Sequence, residues 1–280
     1  MRISEFDLHT HSTYSDGLLT PAELVARAAH RGVKTLALTD HDELRGIDEA
    51  RSAARTHGIE LIDGVEISVS WQQHTLHVVG LLIDPAHPAL RAELEAIRAG
   101  RRERAQRIAD GLAAAGIPDA LAGACVHARN PELVGRTHFA RYLVQRGVAR
   151  SVGGVFRRYL TSGNPGYVPH QWASLQRAVE CITIAGGIAV LAHPGRYKLS
   201  ELECDCMMDE FKSLGGRAIE VVTGSHASEA FEYWGGRARR HGVLASLGSD
   251  FHGPGESYRD VGELPPLPSR CDSITEHLRS

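Results

Sequence analysis

The sequence predicts an α/β fold, a barrel of seven strands with a helical insertion placed over one end. Two observations carry this prediction. Short apolar runs alternate with helix-like patterns from the start of the chain, which is typical of β-α units packed around a parallel sheet. The alternation then breaks between about residues 85 and 170, where no strand-like run appears. A length of 280 residues suits one barrel domain with an insertion.

Seven apolar runs have the length and composition of buried strands. They are Ile3–Leu8, Lys34–Thr39, Glu60–Val65, Thr75–Ile83, Ile188–Ala192, Ala218–Val222 and Val243–Gly248. Because helical patterns separate most of these runs, we expect a parallel sheet that is one strand short of the common eightfold barrel.

Helix signals fill the intervals between the strands. Thr20 is suited to cap a helix, Pro21 to occupy its first position and Glu23 to complete a capping box. Gly32 and Gly58 follow helical patterns, where a left-handed residue commonly ends a helix. The predicted barrel helices are Pro21–His30, Leu44–His57, Trp172–Ala185, Leu199–Leu214 and His226–His241, with a short one at Ser273–Arg279.

The interrupted segment has a helical pattern of its own. A long helix is predicted at about His87–Ala115, followed by two shorter helices and the Gly/Pro-rich stretch TSGNPGYVPH. We assign residues 1–84 and 171–280 to the barrel domain, and residues 85–170 to a helical cap subdomain over the barrel end that carries the metal-binding side chains.

Composition argues for an ordinary enzyme and against a coat for nucleic acid or a membrane-surface protein. The formal net charge is −3, and only 6% of the residues are aromatic. No apolar run reaches the length of a membrane span, and the N-terminal residues do not resemble a secretory signal. The five cysteines suit reduced thiols. We therefore expect a cytoplasmic enzyme, with no membrane association and no obligate protein partner.

Nine side chains of metal-binding type stand at or near the ends of the predicted strands. They are His9, His11, Asp16, His41, Glu66, His77, His193, Asp250 and His252. The carboxyl ends of barrel strands converge on one face, so these residues are expected to meet there. Imidazole and carboxylate ligands without thiolate favour Mn²⁺, or else Fe²⁺ or Zn²⁺, over Mg²⁺. With at most about four protein ligands per ion, the set predicts two or three divalent metal ions.

A structural role is the alternative for any single histidine at a strand end. We give that interpretation to the histidines outside the pattern, which are His30, His57, His74, His87, His127, His226, His241 and His277. It is disfavoured for the set of nine, because six imidazoles and three carboxylates buried together without cations would be costly.

Five motifs resemble those of the polymerase and histidinol phosphatase (PHP) domain family: DLHTHSTYSDG, TDHD, GVEIS, AHPGR and GSDFH. The resemblance implies a distorted (β/α)7 barrel with up to three metal ions. Many family members have a histidine where this chain has Asp16. The implied ligand groups are His9, His11, Glu66 and Asp250; Asp16, His41 and His252; and Glu66, His77 and His193.

A cluster of cations favours phosphoester hydrolysis, because it lowers the pKa of a shared water, polarises a phosphoryl oxygen and stabilises the leaving oxygen. We predict in-line attack on phosphorus by a metal-bridging hydroxide, without a covalent enzyme intermediate. His193 and Asp250 are the predicted catalytic residues. His193 or a metal-bound water is the candidate proton donor to the leaving oxygen, and loss of Asp250 is expected to abolish turnover.

Two arginines interrupt the apolar stripe of the long predicted helix. The stripe consists of Leu90, Leu94, Ile97, Ile108 and Leu112. Arg101 and Arg104 take the missing positions, so both are expected to point inward. An inward arginine needs an anion, and either a substrate phosphate or a buried carboxylate would serve.

Three further residues are candidates for substrate contact. Arg136 and His138 stand at the start of a predicted helix, whose N-terminus attracts phosphate. Arg196 follows His193 closely in AHPGR. Together these candidates carry more positive charge than one small phosphate requires, which favours a substrate with two phosphate groups.

The pattern as a whole resembles the PHP subfamily of 3′,5′-nucleoside bisphosphate phosphatases and 5′-to-3′ exoribonucleases. That resemblance implies a small nucleotide substrate, with the 3′-phosphate of adenosine 3′,5′-bisphosphate removed to give AMP. It also implies short RNA oligonucleotides as further candidates.

Three other functions compete with this one. A histidinol-phosphate phosphatase would need acidic or polar groups for the substrate amine more than surplus arginines. A non-catalytic module, like polymerase-attached PHP domains that lose ligands, is disfavoured because all nine ligand positions are filled. An amidohydrolase acting on C–N bonds would use similar ligands, and turnover of a phosphoester would distinguish it.

Overall fold

Seven strands form the barrel sheet, and an eighth short strand pairs at its margin. A computed structural model describes residues 3–278 of the chain. The strands are β1 (Phe6–Asp7), β2 (Thr35–Leu38), β3 (Glu60–Trp71), β4 (His74–Leu81), β5 (Ala173–Ser174), β6 (Ile188–Leu191), β7 (Ala218–Thr223) and β8 (Leu244–Gly248). Their order in the sheet is β1-β2-β3-β4-β6-β7-β8, with β5 paired to β3. The prediction of a seven-stranded α/β barrel is confirmed.

The two edges of this sheet approach each other and nearly close the barrel. The amide of Leu8 donates to the carbonyl of Leu247 at 3.2 Å, and Thr10 forms a parallel bridge with Phe251. The first and last sequence motifs, DLHTHS and GSDFH, therefore lie side by side.

The expectation of a parallel sheet is wrong at β4, which pairs antiparallel with both of its neighbours, β3 and β6. Gln72 and Gln73 alone separate β3 from β4, and Gln72 has a φ of 50°. Two residues suffice to reverse a chain into a hairpin, whereas a parallel connection needs a crossover of a dozen residues or more. The strand predicted to end at Val65 consequently continues to Trp71.

The helices lie close to their predicted positions. They are α1 (Pro21–Arg31), α2 (Ile47–His57), α3 (Pro88–Ala114), α4 (Ala120–Val126), α5 (Arg136–Gln145), α6 (Val152–Val155), α7 (Leu175–Ile184), α8 (Glu201–Ser213) and α9 (Ala230–His241). At α1, Thr20 and Glu23 form the expected capping box, and Gly32 ends the helix with a φ of 91°.

Several predicted helices differ in detail from those observed. Helix α2 begins at Ile47, later than the predicted Leu44. Helix α7 begins at Leu175, after the predicted Trp172, because residues 173–174 form β5 and Ser174 caps the helix. Helix α9 begins at Ala230, later than the predicted His226. In the tail, a short 3-10 helix spans Ile274–His277, and Arg279 of the predicted helix lies outside the described residues.

Two groups of buried apolar side chains stabilise the molecule. One fills the barrel and the space beneath its helices. The other lies among α3, α4, α5 and α6 and includes Ile108, Leu112, Phe139 and Leu143. The division into a barrel domain and a cap subdomain at residues 85 and 170 stays a prediction.

The five cysteines are free thiols. Within residues 3–278, no helix combines the length and hydrophobicity that crossing a bilayer requires.

Candidate metal centre

All nine predicted metal-binding residues meet at one end of the barrel. His9 and His11 follow β1, His41 follows β2, and His193 follows β6, each just beyond the carboxyl end of a parallel strand. Asp250 and His252 follow β8 in the same way, and Asp16 lies in the loop before α1. Glu66 and His77 reach the centre differently, since they lie inside the antiparallel β3–β4 hairpin.

The Glu66 carboxylate is the hub of the centre. Its Oε2 lies 3.2 Å from Nε2 of both His9 and His11, and 2.9 Å from Nδ1 of His41. Its Oε1 lies 2.8 Å from Nδ1 of His77 and 3.0 Å from Nε2 of His193. One buried carboxylate thus faces imidazoles from five points of the chain.

Two further carboxylates complete separate groups of donor atoms. Oδ1 of Asp250 lies 3.6 Å from Nε2 of His9 and 3.4 Å from Nε2 of His11. Oδ1 of Asp16 lies 3.2 Å from Nε2 of His252. Four overlapping sets of residues have ligand atoms that all lie within 4.8 Å of one another. These sets are His11, Asp16, His41 and His252; His9, Glu66 and His193; His9, His11 and Asp250; and His41, Glu66 and His77.

Unsatisfied buried atoms indicate that this cluster fits cations. Glu66 Oε2, Asp250 Oδ1 and Asp16 Oδ1 are buried, and none has a hydrogen-bond partner within the described chain. Such oxygens are costly to bury unless a cation or a donor compensates them. Burial raises the pKa of Glu66, but the imidazoles around it lower that pKa to well below its usual range, so this carboxylate is ionised.

Glu220 is a supporting residue that sequence analysis missed. Nδ1 of His9 donates to Oε1 of Glu220 at 2.7 Å, and the amide of His193 donates to Oε2 at 2.6 Å. A proton held on Nδ1 leaves the Nε2 lone pair of His9 facing the centre, which is how outer carboxylates orient histidine ligands. The signal was present in the sequence, because Glu220 is the one acidic residue in the apolar strand AIEVVT.

Two aspartates beside His41 were also missed. Asp40 accepts hydrogen bonds from the amide and hydroxyl of Ser12 at 2.7 and 2.6 Å, and from the Ser15 hydroxyl at 2.6 Å. These bonds hold the loop that carries Asp16. Asp42 accepts from the amide of Ser68 at 2.8 Å. The motif TDHD therefore supplies one candidate ligand and two positioning acids.

A cavity of about 160 Å³, here called the arginine cavity, opens beside the cluster. Asp16, His41, His77 and His252 line one part of it, and the remaining lining includes Arg101, Arg104, Arg136, Thr137 and Arg196. A ligand in this cavity would contact candidate metal ligands and guanidinium groups at the same time.

The inward arginines of α3 have different partners. Nε of Arg101 donates to Oδ2 of Asp42 at 2.8 Å, so the carboxylate alternative holds for this residue. Arg104 lies over the ring of Trp172, 5.3 Å from the centroid, and its Nε donates to the carbonyl of Val168. Burial, Arg136 and Arg101 lower the pKa of Arg104 to about 9, so it remains protonated at neutral pH.

Arg136 resembles Arg104 in its surroundings. Its guanidinium lies over Phe156, 5.6 Å from the ring centroid, and its Nη1 donates to the carbonyl of Leu160 at 3.4 Å. In the part of the chain that the structure describes, neither Arg104 nor Arg136 forms an ion pair with a carboxylate. Two partly dehydrated cations thus border the cavity without a counter-charge.

His138 and Arg196 are the remaining predicted substrate contacts. His138 is fully buried with Nδ1 accepting from the amide of Gly135, and it does not line the arginine cavity. From the first turn of α5 it is Thr137 that lines this cavity, and the predicted contact of His138 with substrate stays a prediction. The Thr137 hydroxyl donates to Oδ2 of Asp16 at 2.9 Å. Arg196 lines the cavity but also lies 3.2 Å from Oδ2 of Asp250.

Comparison with known proteins gives one family and several close relatives. The model of the PHP domain matches residues 7–224. A 3′,5′-nucleoside bisphosphate phosphatase of Chromobacterium violaceum is 51% identical over 278 residues, covering 99% of this chain and 98% of that protein. A 5′-3′ exoribonuclease of Haemophilus influenzae is 44% identical over 250 residues, or 89% of this chain and 90% of the relative.

A solved structure has a similar fold. It is a putative metal-dependent phosphoesterase from Bifidobacterium adolescentis, which superposes with a TM-score of 0.82 at 27% identity. The superposition covers 96% of this chain and 93% of the other.

Proposed function

This chain belongs to the PHP domain family and is a phosphoric ester hydrolase, and we propose that it removes the 3′-phosphate of nucleoside 3′,5′-bisphosphates. Adenosine 3′,5′-bisphosphate would give AMP and phosphate. The observation that carries the proposal is the arginine cavity, where candidate metal ligands and two unpaired guanidiniums border the same space.

The cavity suits a substrate with two anionic groups. One phosphate would lie at the metal centre, beside Asp16, His41, His77 and His252. The other would lie on Arg104 and Arg136, whose planar forks bind phosphate oxygens in pairs and which lack carboxylate partners. A phosphate there would supply the counter-charge that Arg104 and Arg136 lack in the described chain.

We propose the nine converging residues as ligands of two or three divalent cations, with Mn²⁺ preferred and Fe²⁺ or Zn²⁺ as alternatives. His9, His11, Glu66 and Asp250 would hold one ion; Asp16, His41 and His252 a second; and Glu66, His77 and His193 a third. The contacts of Glu66 with His9, His11, His77 and His193, the contact of Asp16 with His252, and the unsatisfied carboxylate oxygens support this proposal.

When bound, such cations activate water and stabilise charge on phosphoryl and leaving oxygens. The chain's own residues have the task of holding the substrate in line. Glu220 and Asp40 fix the donor set, and Arg104 and Arg136 anchor the distant phosphate. Hydrolysis adds the water oxygen to phosphorus and breaks the bond to the ribose 3′-oxygen, which leaves with a proton. The predicted role of His193 as that proton donor stays a prediction.

A release assay with Mn²⁺-loaded protein tests the proposal. It compares adenosine 3′,5′-bisphosphate, AMP and histidinol phosphate at equal concentration. We expect phosphate release from the bisphosphate with accumulation of AMP, and no release from AMP, since AMP has no 3′-phosphate. Faster turnover of histidinol phosphate would refute the nucleotide assignment and favour the small aminoalcohol ester.

A second candidate activity is 5′-to-3′ hydrolysis of short RNA. The similarity to the Haemophilus influenzae exoribonuclease favours it. Both activities need a phosphorus at the metals and a terminal phosphate bound nearby, so they are compatible in one site.

We also propose a cytoplasmic location, because five free cysteines are typical of a reducing compartment.

A further inference from the structure

A second and larger cavity also opens on the metal centre. This cavity, here called the outer groove, has a volume of about 1050 Å³, against about 160 Å³ for the arginine cavity. The two cavities share Thr137, Phe156, Arg196 and His252, but Arg104 and Arg136 line only the first. The outer groove therefore leaves the metal centre without passing the unpaired arginines.

The groove contacts the metal centre directly. Asp250 and His252 both line it, and the Ser225 hydroxyl donates to Oδ2 of Asp250 at 2.6 Å. A group attached to a phosphorus at the metals could thus continue into the groove without crossing protein. On a mononucleoside bisphosphate that phosphorus carries one organic group, the nucleoside, whose 5′-phosphate would lie on Arg104 and Arg136. Only a phosphodiester has a second organic group there, so the groove exceeds what the bisphosphate needs.

The lining of the groove suits a single nucleic-acid strand. Phe156, Val144 and Val152 give it an apolar wall, and the exposed Arg150 supplies a positive charge at its edge. Tyr258 is 85% exposed, which is unusual for so large a ring. Aromatic platforms beside basic side chains are how proteins bind single strands without reading their sequence.

We propose that the outer groove binds the 3′ portion of a short 5′-phosphorylated RNA, with Tyr258 as a stacking platform and Arg150 as a contact to the backbone. The inference rests on the proposed function, because it uses the same two anion sites. The 5′-phosphate lies on Arg104 and Arg136, the first phosphodiester lies at the metals, and the remaining strand extends along the groove.

The chemistry is the same as for the bisphosphate. Water adds its oxygen to phosphorus, the bond to the 3′-oxygen of the first nucleotide breaks, and that oxygen takes a proton. The products are a nucleoside 5′-monophosphate and an RNA that is one nucleotide shorter. The shortened strand again begins with a 5′-phosphate, so it presents the group that Arg104 and Arg136 bind.

The test compares two substrates in groove variants of the Mn²⁺-loaded protein. Tyr258→Ala and Arg150→Ala are assayed with a 5′-phosphorylated RNA pentamer and with adenosine 3′,5′-bisphosphate. Loss of one stacked base raises KM for the pentamer by about tenfold. We expect the kinetics for the bisphosphate to stay within about twofold, because that substrate does not reach the groove. Arg55→Ala, which removes an exposed charge from α2, is the matched control.

A binding measurement gives an independent readout. The anisotropy of a 3′-labelled, 5′-phosphorylated pentamer is titrated with each variant in chelator, where no hydrolysis occurs. Tyr258→Ala should weaken binding about tenfold, and Tyr258→Phe, which keeps the ring, should restore it. Unchanged pentamer kinetics in both variants, or equal losses for both substrates, would overturn the groove assignment. Bisphosphate turnover without any pentamer cleavage would overturn it while leaving the proposed function intact, and absence of both activities would refute the proposed function.

Discussion

Arg101 donates a hydrogen bond from Nε to Oδ2 of Asp42 at 2.8 Å, and it joins a fully buried carboxylate to a guanidinium that is partly exposed in the arginine cavity. Arg104, three residues further along α3, has no such partner in the described chain. Two arginines that look equivalent in sequence therefore have different tasks. The first ties α3 to the loop that carries His41, and the second is available for a substrate anion.

Replacing Arg101 should affect stability before it affects binding. Arg101→Ala leaves the buried carboxylate of Asp42 without its cation, which typically costs about 3–5 kcal/mol. The free energy of unfolding from urea titration measures this loss. Asp42→Asn in the Arg101→Ala background should recover part of it, because the uncompensated charge is removed. Equal stability of Arg101→Ala and the parent protein would show that the pair has no structural role.

Replacing Arg104 should affect affinity and leave folding largely intact. A hydrogen bond to a charged group contributes about 1.5–3 kcal/mol, so Arg104→Ala should raise KM for adenosine 3′,5′-bisphosphate by roughly 10- to 100-fold. The kcat should change little, since this residue lies away from the reacting phosphorus. Arg107→Ala removes an exposed charge from the same helix and serves as the control. An unchanged KM would exclude Arg104 from the phosphate site.

Replacing Glu220 should weaken metal binding without removing a ligand. Glu220→Gln removes the charge that keeps the proton on Nδ1 of His9, and loss of such outer partners costs about 10- to 100-fold in metal affinity. Competition with a fluorescent chelator measures the dissociation constant for Mn²⁺. Excess Mn²⁺ should then restore most of the turnover. If the variant binds Mn²⁺ as tightly as the parent protein, the carboxylate does not orient His9.

Removing Asp16 should remove one ion and leave the others. Asp16 contacts His41 and His252, whereas the donor sets around Glu66 do not include it. Asp16→Ala should therefore bind one Mn²⁺ equivalent fewer than the parent protein in elemental analysis after gel filtration. Thr137→Val, which removes the hydroxyl bonded to Asp16 but no ligand, is the control. The same metal content in Asp16→Ala and the parent protein would contradict the second group.

Metal binding should also stabilise the fold. Any ligand that binds only the native state adds about 2.7 kcal/mol at a concentration 100 times its dissociation constant. We expect the Tm of chelator-treated protein to rise on addition of Mn²⁺, because the cations compensate Glu66, Asp16 and Asp250. Differential scanning fluorimetry checks this, and a Tm that is insensitive to Mn²⁺ would mean that the cluster is stable without ions.

Much of the candidate site could be predicted because parallel strands deliver their carboxyl ends to one face. His9, His41, His193 and Asp250 follow this rule, so their convergence follows from the strand pattern alone. Glu66 and His77 also reach the centre, but for a different reason. In the antiparallel hairpin Glu66 pairs with Val79 and His77 with Ser68, so the two side chains are diagonal neighbours on one face of the sheet. A strand pattern without an assigned direction does not distinguish this arrangement from a parallel one.

The supporting residues could not be found in the same way. Glu220 is marked only as a single acid in an apolar strand, and Asp40 and Asp42 only as the neighbours of His41 in TDHD. Their supporting roles come from contacts with residues distant in sequence, which these signals do not give. The sequence also left the partners of Arg101 and Arg104 undecided. A guanidinium that points inward can bind either a protein carboxylate or a substrate phosphate, because both accept its paired hydrogen bonds.

The sequence by itself determined the barrel, the donor set and the class of chemistry, because local periodicity and ligand type are encoded residue by residue. Only the tertiary structure decided the direction of β4, the burial of His138, the pairing of Arg101 and the existence of the outer groove. Those features depend on which distant surfaces pack together, and the free energy that selects the packing is shared among many contacts.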